Sequence, residues 1–158
     1  MSPADRGGYS PRVLLHFAYA TLLVFGTVFV HAACTVAVLT WLHSVAAHHW
    51  SLRSPLRRAT VVGSLVFLMS LAAILESSLW AGFYVVVGAL PTFEQASYFS
   101  LVTFTTLGYG DITLHEDWRM LGAFQAANGI LMFGWTTALI VAVAHRVFLH
   151  QGADADHS

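Results

Sequence analysis

Residues 105–111 read Thr105-Thr106-Leu107-Gly108-Tyr109-Gly110-Asp111. What such a stretch can offer a ligand is mostly backbone. Glycine reaches left-handed backbone angles without steric penalty, so alternate glycines let successive peptide carbonyls turn the same way. If several copies meet on an axis, those carbonyls stack into rings of oxygen that can replace the hydration shell of a monovalent cation. Three further polar residues, His31, Glu76 and Asn128, stand inside long apolar runs. Polar groups there are costly and face protein or water.

The nine histidines invite a metal-binding reading. His43, His48 and His49 lie near the end of the first apolar run, but no cysteine or carboxylate cluster accompanies them, so they read as titratable interfacial groups. His115, Glu116 and Asp117 follow the glycine motif, where the acids would attract cations and His115 would make that attraction pH-dependent. Cys34, the single cysteine, cannot form an internal disulfide and reads as a small packing residue.

The elements that must hold these residues follow from composition. Of 158 residues 57% are apolar and only 9% charged, against roughly 25% charged in a soluble domain. The chain therefore belongs in a bilayer. Its net charge of −1, with seven arginines and no lysine, leaves no basic stripe for nucleic acid, and no soluble partner is evident. Three apolar segments, residues 13–42, 59–90 and 120–149, exceed the about 20 residues a spanning helix needs. The first is too long for the apolar core of a signal peptide and is kept as a mature helix. Arg53, Arg57, Arg58 and Arg146 fall on one side of this arrangement, with Arg6, Arg12 and Arg119 on the other. The larger group marks the cytoplasmic face. That orientation puts the N-terminus outside and the C-terminus inside, in a multi-pass protein of the cell (inner) membrane.

Residues 91–118 neither span nor form a polar loop. Pro91 is expected to stop the second helix, and Thr92 to cap a new one with Glu94 and Gln95 in its first turn. An apolar run to Phe104 makes that helix too short to cross. The two glycines then break it. Irregular backbone at membrane depth is tolerated only when buried in protein or lining a water-filled path, so the expectation is a re-entrant helix followed by an extended return to the surface.

With Thr105 and Asp111 included, the motif resembles the TTxGYGD filter of the pore-loop potassium channel family, with Leu107 where the common filter has valine. The resemblance covers residues 59–149, as outer helix 59–90, pore helix 92–104, filter 105–111 and inner helix 119–149. Outside it lie an external tail 1–12, an extra transmembrane helix 13–50, a cytoplasmic basic loop 51–58, and a tail 150–158 expected to be disordered. It implies an all-α membrane protein with three transmembrane helices, a re-entrant pore helix and an extended filter. One filter loop per chain further implies a homotetramer, with K+ as permeant ion, no cofactor and no enzymatic activity.

Residue roles follow from the same resemblance. Thr106 supplies a carbonyl and a hydroxyl to the ion; Leu107, Gly108 and Tyr109 supply carbonyls. Gly110 forms the outer mouth. The Tyr109 ring is expected to point away from the axis and pack on Tyr98 and Phe99. Tyr98 stands where many members carry a tryptophan that bonds the aspartate, so its phenol is expected to reach Asp111. Val102 replaces a glutamate found behind the filter in some members. Gly129 and Gly134 match inner-helix glycines that serve either as a hinge or in close packing. Ile130, Phe133, Thr137 and Val141 form the stripe that faces the cavity.

Glu76 and His31 fall at similar depth in their segments, which suggests a Glu76–His31 or Glu76–Asn128 hydrogen bond. The alternative is a bond from a neutral Glu76 to a local hydroxyl such as Ser77 or Ser78, or to the pore helix. Asn128 lies about 200° around its helix from Ile130, away from the cavity. A competing class is a haem protein using His16, His31 or His43 as ligands, which leaves the glycine motif without a job. Within transport the competitor is a weakly selective cation channel. The first segment lacks the repeated arginines of a voltage sensor, and the tail is too short for a regulatory domain, so gating is expected to reside in the membrane part.

Overall fold

The computed structural model describes residues 11–47 and 54–149. His48, His49, Arg6, Arg53 and the expected disordered tail lie outside the described residues. The described chain is all helical: α1 (Pro11–Ala47), α2 (Pro55–Val86), α3 (Phe93–Phe104), a 3-10 turn (Glu116–Trp118) and α4 (Arg119–Leu149). Three helices are long and apolar enough to cross a membrane. They are the three that the apolar pattern predicts.

Two boundaries of α2 differ from that pattern. The helix starts at 55 and not 59, because Ser54 is extended and Pro55 occupies the first helical position, where proline's fixed φ suits the helix and its missing N–H costs nothing. At the other end Gly88, not Pro91, stops the helix. Its φ of 69° lets the Gly88 N–H reach the Val85 carbonyl at 3.0 Å and the Ala89 N–H reach that of Tyr84 at 2.8 Å. These are the paired bonds of a Schellman cap. The short connection leads into α3, where Thr92 is extended and its Oγ1 accepts the Gln95 N–H at 3.3 Å.

Two apolar clusters hold the helices together. In one, Ala20 and Leu23 of α1 meet Trp80, Ala81 and Tyr84 of α2, Ala96 and Phe104 of α3, and Leu121 and Met132 of α4. In the other, Val38 meets Val61, Leu65 and Met69, with Val143 and Val147 of α4. The short helix α3 thus fills one end of the bundle, between α2 and α4. At the opposite end the C-terminal halves of α1 and α4 pack on the start of α2.

Candidate functional site

The glycine motif begins where α3 ends. The N–H groups of Thr105, Thr106, Leu107 and Gly108 turn back to the carbonyls of Leu101, Thr103, Val102 and Val102, at 3.0, 3.0, 3.0 and 3.2 Å. Among the described residues no hydrogen-bond donor reaches the carbonyl oxygens of Thr106 through Gly110. The N–H groups of the first half of the loop are spent on the helix, and the carbonyls from Thr106 to Gly110 accept none of them. Left-handed backbone recurs at every second position, Thr106 (φ 61°), Gly108 (φ 59°) and Gly110 (φ 78°). Alternating handedness is a pattern in which successive peptide carbonyls can turn toward one side. Thr106 is a β-branched residue in this region, at a cost of about 1–3 kcal/mol that the surrounding bonds must offset. The C-terminus of α3, the negative end of its dipole, abuts this row and favours a cation there.

At the C-terminal end of the motif, the Tyr98 phenol donates to Asp111 Oδ2 at 2.6 Å. That bond, helped by the N–H groups of Ile112 and Asp111, holds the Asp111 carboxyl below the usual carboxylate range. The bond to Asp111 raises the Tyr98 phenol's pKa, and Tyr109 lies near enough to help, but the Tyr109 ring makes none of the expected face or edge contact with Tyr98 or Phe99 among the described residues. Tyr109 is 67% exposed, and Phe99 instead sets its ring edge-on to Tyr84 at 5.4 Å. Phe99 lies on the face of α3 that packs against α2, whereas Tyr109 stands exposed on the single chain.

Behind α3 lies a polar relay that motif reading missed. Ser100 Oγ donates to the Ser77 carbonyl, Gln125 Nε2 donates to both Ser100 Oγ and its carbonyl, and Tyr84 Oη donates to Gln125 Oε1 at 2.9 Å. Tyr84, Ser100 and Gln125 are completely buried. Together they pin the middle of α3 to α2 and α4. The signal available in the sequence was Gln125, a lone amide in an apolar helix one turn before Asn128.

The two glycines of α4 differ. A Cβ on Gly129 would fall 1.9 Å from the Phe104 carbonyl oxygen, whereas one on Gly134 would meet nothing within 4 Å. Gly129 is therefore the point where α4 touches the end of α3. Ile130, Phe133, Thr137 and Val141 are all exposed on the single chain, and the Phe133 ring stands edge-on to Phe104 at 5.9 Å. Val102 is half-buried, and its carbonyl receives the two loop N–H groups described above.

In the bundle interior His31 Nδ1 lies 2.8 Å from Glu76 Oε1, and His31 Nε2 lies 3.5 Å from Thr136 Oγ1. Asn128 does not join Glu76; its Nδ2 donates to Thr27 Oγ1 at 2.7 Å. Thr27 and His31, one turn apart on α1, take up the two polar groups separately. Ser77 and Ser78 turn their hydroxyls to the Ile74 carbonyl and leave Glu76 to the histidine. Among the described residues Glu76 Oε2 and Asn128 Oδ1 are buried without a hydrogen-bond partner.

The remaining histidines are dispersed. The His16 ring packs on Trp118 at 5.3 Å, His43 is exposed near the other end of α1, and His115 Nδ1 is 3.2 Å from Asp117 Oδ2 at an exposed site where Arg119 also approaches Glu116 at 3.7 Å. Among the described residues no three His, Cys, Asp or Glu side chains are grouped to hold a metal ion. His16, His31 and His43 all lie on α1, and His31 has polar partners at both ring nitrogens.

Residues 64–146, more than half of the chain, match the model of a family described as "Ion channel". Neither the curated proteins nor the solved structures gave a match.

Proposed function

The chain belongs to the ion channel family and is a multi-pass membrane protein, and from that membership we propose that it conducts potassium selectively through rings of backbone carbonyls from Thr106, Leu107, Gly108 and Tyr109. One observation carries this reading: left-handed backbone at Thr106, Gly108 and Gly110, every second residue, in a loop whose carbonyls are free. Oxygens so arranged can replace the hydration shell of an ion. Thr106 adds its hydroxyl as the innermost ligand, and Gly110 forms the mouth.

One chain supplies one side of such a ring, so the reading requires four chains around an axis. Assembly accounts for what the single chain leaves uncovered. Leu107 and Tyr109, exposed here, would then find neighbours across subunit boundaries, and Ile130, Phe133, Thr137 and Val141 would line an apolar cavity. In this assembly α3 is the re-entrant pore helix, with its C-terminus aimed at the cavity, and Tyr98 and Asp111 brace the outer end of the filter. Acidic Glu116 and Asp117 sit near the external mouth. The N-terminus is external, the C-terminus cytoplasmic, and α1 packs outside the pore module.

Reversal potentials of the protein in planar bilayers test the reading. In unequal potassium and sodium the current should reverse near the potassium equilibrium potential. Equal permeability to the two ions would replace the selective filter by a weakly selective cation pore.

A further inference from the structure

Toward their C-terminal ends α1 and α4 run side by side without closing on each other. A cavity of about 360 Å3 lies between them, lined by Leu39, Leu42, His43, Leu139, Val143 and Arg146. Its walls are aliphatic. His43 and Arg146, both exposed, sit in the last turns of the two apolar spans, which end at residues 44 and 148. That is the depth at which a bilayer passes from acyl chains to phosphates. The second apolar cluster sets Val61, one turn beyond Arg57 and Arg58, beside Val38, Val143 and Val147, so the start of α2 brings its arginines to the same level. Among the described residues this end of the bundle carries no carboxylate. The acids of α2 and of the loop, Glu76, Glu116 and Asp117, are buried mid-helix or lie at the other end of α4.

An apolar groove with Arg146 and His43 at its mouth selects its occupant. Any lipid tail satisfies the leucines and valines, but a zwitterionic headgroup brings its own amine to the phosphate and gains little from Arg146. An anionic headgroup has no such internal partner. We propose that the α1–α4 groove is a binding site for an anionic phospholipid, one acyl chain lying along Leu39, Leu42 and Leu139 and the phosphate held by Arg146 and His43. Since α1 forms one wall, the site belongs to the helix that lies outside the pore module. The proposal is independent of which ion the pore passes.

Mass spectrometry of the intact purified protein, released from vesicles of phosphatidylcholine containing a minority of phosphatidylglycerol, counts the lipids retained. Phosphatidylglycerol should be enriched about fivefold over its share in the vesicle, the ratio one basic residue supplies at an anionic headgroup. Arg146→Gln combined with His43→Gln should bring that enrichment close to one. Arg119→Gln, at the opposite end of α4, should leave it intact. Ala142→Phe, which fills the groove without touching a charge, should lower retention of both lipids. Equal retention of the two lipids by the unaltered protein, or an undiminished preference in the double variant, would overturn the proposal. Size-exclusion chromatography of each variant confirms that it folds and assembles.

Discussion

Substituting Gly129 by alanine sets two physical effects against each other with opposite signs. In an exposed helix interior the change favours folding by about 1 kcal/mol, since alanine restricts the unfolded backbone and glycine does not. Here the new Cβ would lie 1.9 Å from the Phe104 oxygen, 2.8 Å from its carbonyl carbon and 3.1 Å from its Cα. Real Cβ contacts essentially never fall under 3.0 Å, so α4 and the end of α3 must separate by at least 1.1 Å (3.0 − 1.9). The obstructing atoms are backbone, so no rotamer change relieves the clash. Overpacking of this kind costs about 1–3 kcal/mol, which exceeds or cancels the propensity gain. The displaced residue, Phe104, directly precedes Thr105 and Thr106, so the shift also reaches the loop whose N–H groups are tied to Val102 and Thr103. Gly134→Ala is the internal control, because nothing lies within 4 Å of its added Cβ and only the propensity gain applies within the chain. Thermal unfolding of the purified protein in detergent should therefore move down for Gly129→Ala and up or not at all for Gly134→Ala. Single-channel current should fall in the first and persist in the second. A Gly129→Ala protein as stable and as conductive as the unaltered one would refute the close approach of α4 to α3 and the reasoning built on it.

Two further outcomes follow from the hydrogen bonds. Tyr98→Phe removes the donor that holds Asp111 down. A carboxyl whose folded pKa is depressed contributes stability that is present above its unfolded value and is lost as pH falls through the folded one. The unaltered protein should thus outlast Tyr98→Phe in thermal scans at all pH values above about 4, with the two converging only below it; a constant gap down to strongly acid pH would reject the assignment. Across the bundle, His31→Leu and Glu76→Leu should be non-additive, with a coupling of about 0.6 kcal/mol and no more than about 1.7 kcal/mol for an interhelical bond in a membrane. The thermal stabilities of both single variants and the double variant measure it, and additive effects would show that the 2.8 Å contact holds no energy.

Elements set by local chemistry were legible in the chain. Periodic apolar runs mark α1, α2 and α4 wherever the structure describes them, and Thr92 marks α3 because a cap bonds a residue three positions on. Where two local stop signals competed, Gly88 ended α2 before Pro91 could, since a left-handed glycine closes the last carbonyls while a proline only forbids continuation. Partners distant in sequence were another matter. Nothing near Asn128 tells it to seek Thr27, 101 positions away, in place of Glu76. Gln125, Ser100 and Tyr84 looked like three isolated polar residues until folding brought them together behind α3.

By itself the sequence determined that the chain lives in a bilayer, that a half-length helix stands between two long ones, and that a backbone motif follows it. These are consequences of hydropathy, of capping and of glycine's freedom, each of which acts over a few residues. Only the tertiary structure decided which glycine of α4 is a contact and which is open, which residue bonds Glu76, and that the Tyr109 ring is left exposed on its own chain. Those outcomes depend on how close the helices approach, a distance set jointly by all their side chains and written in no single stretch of them.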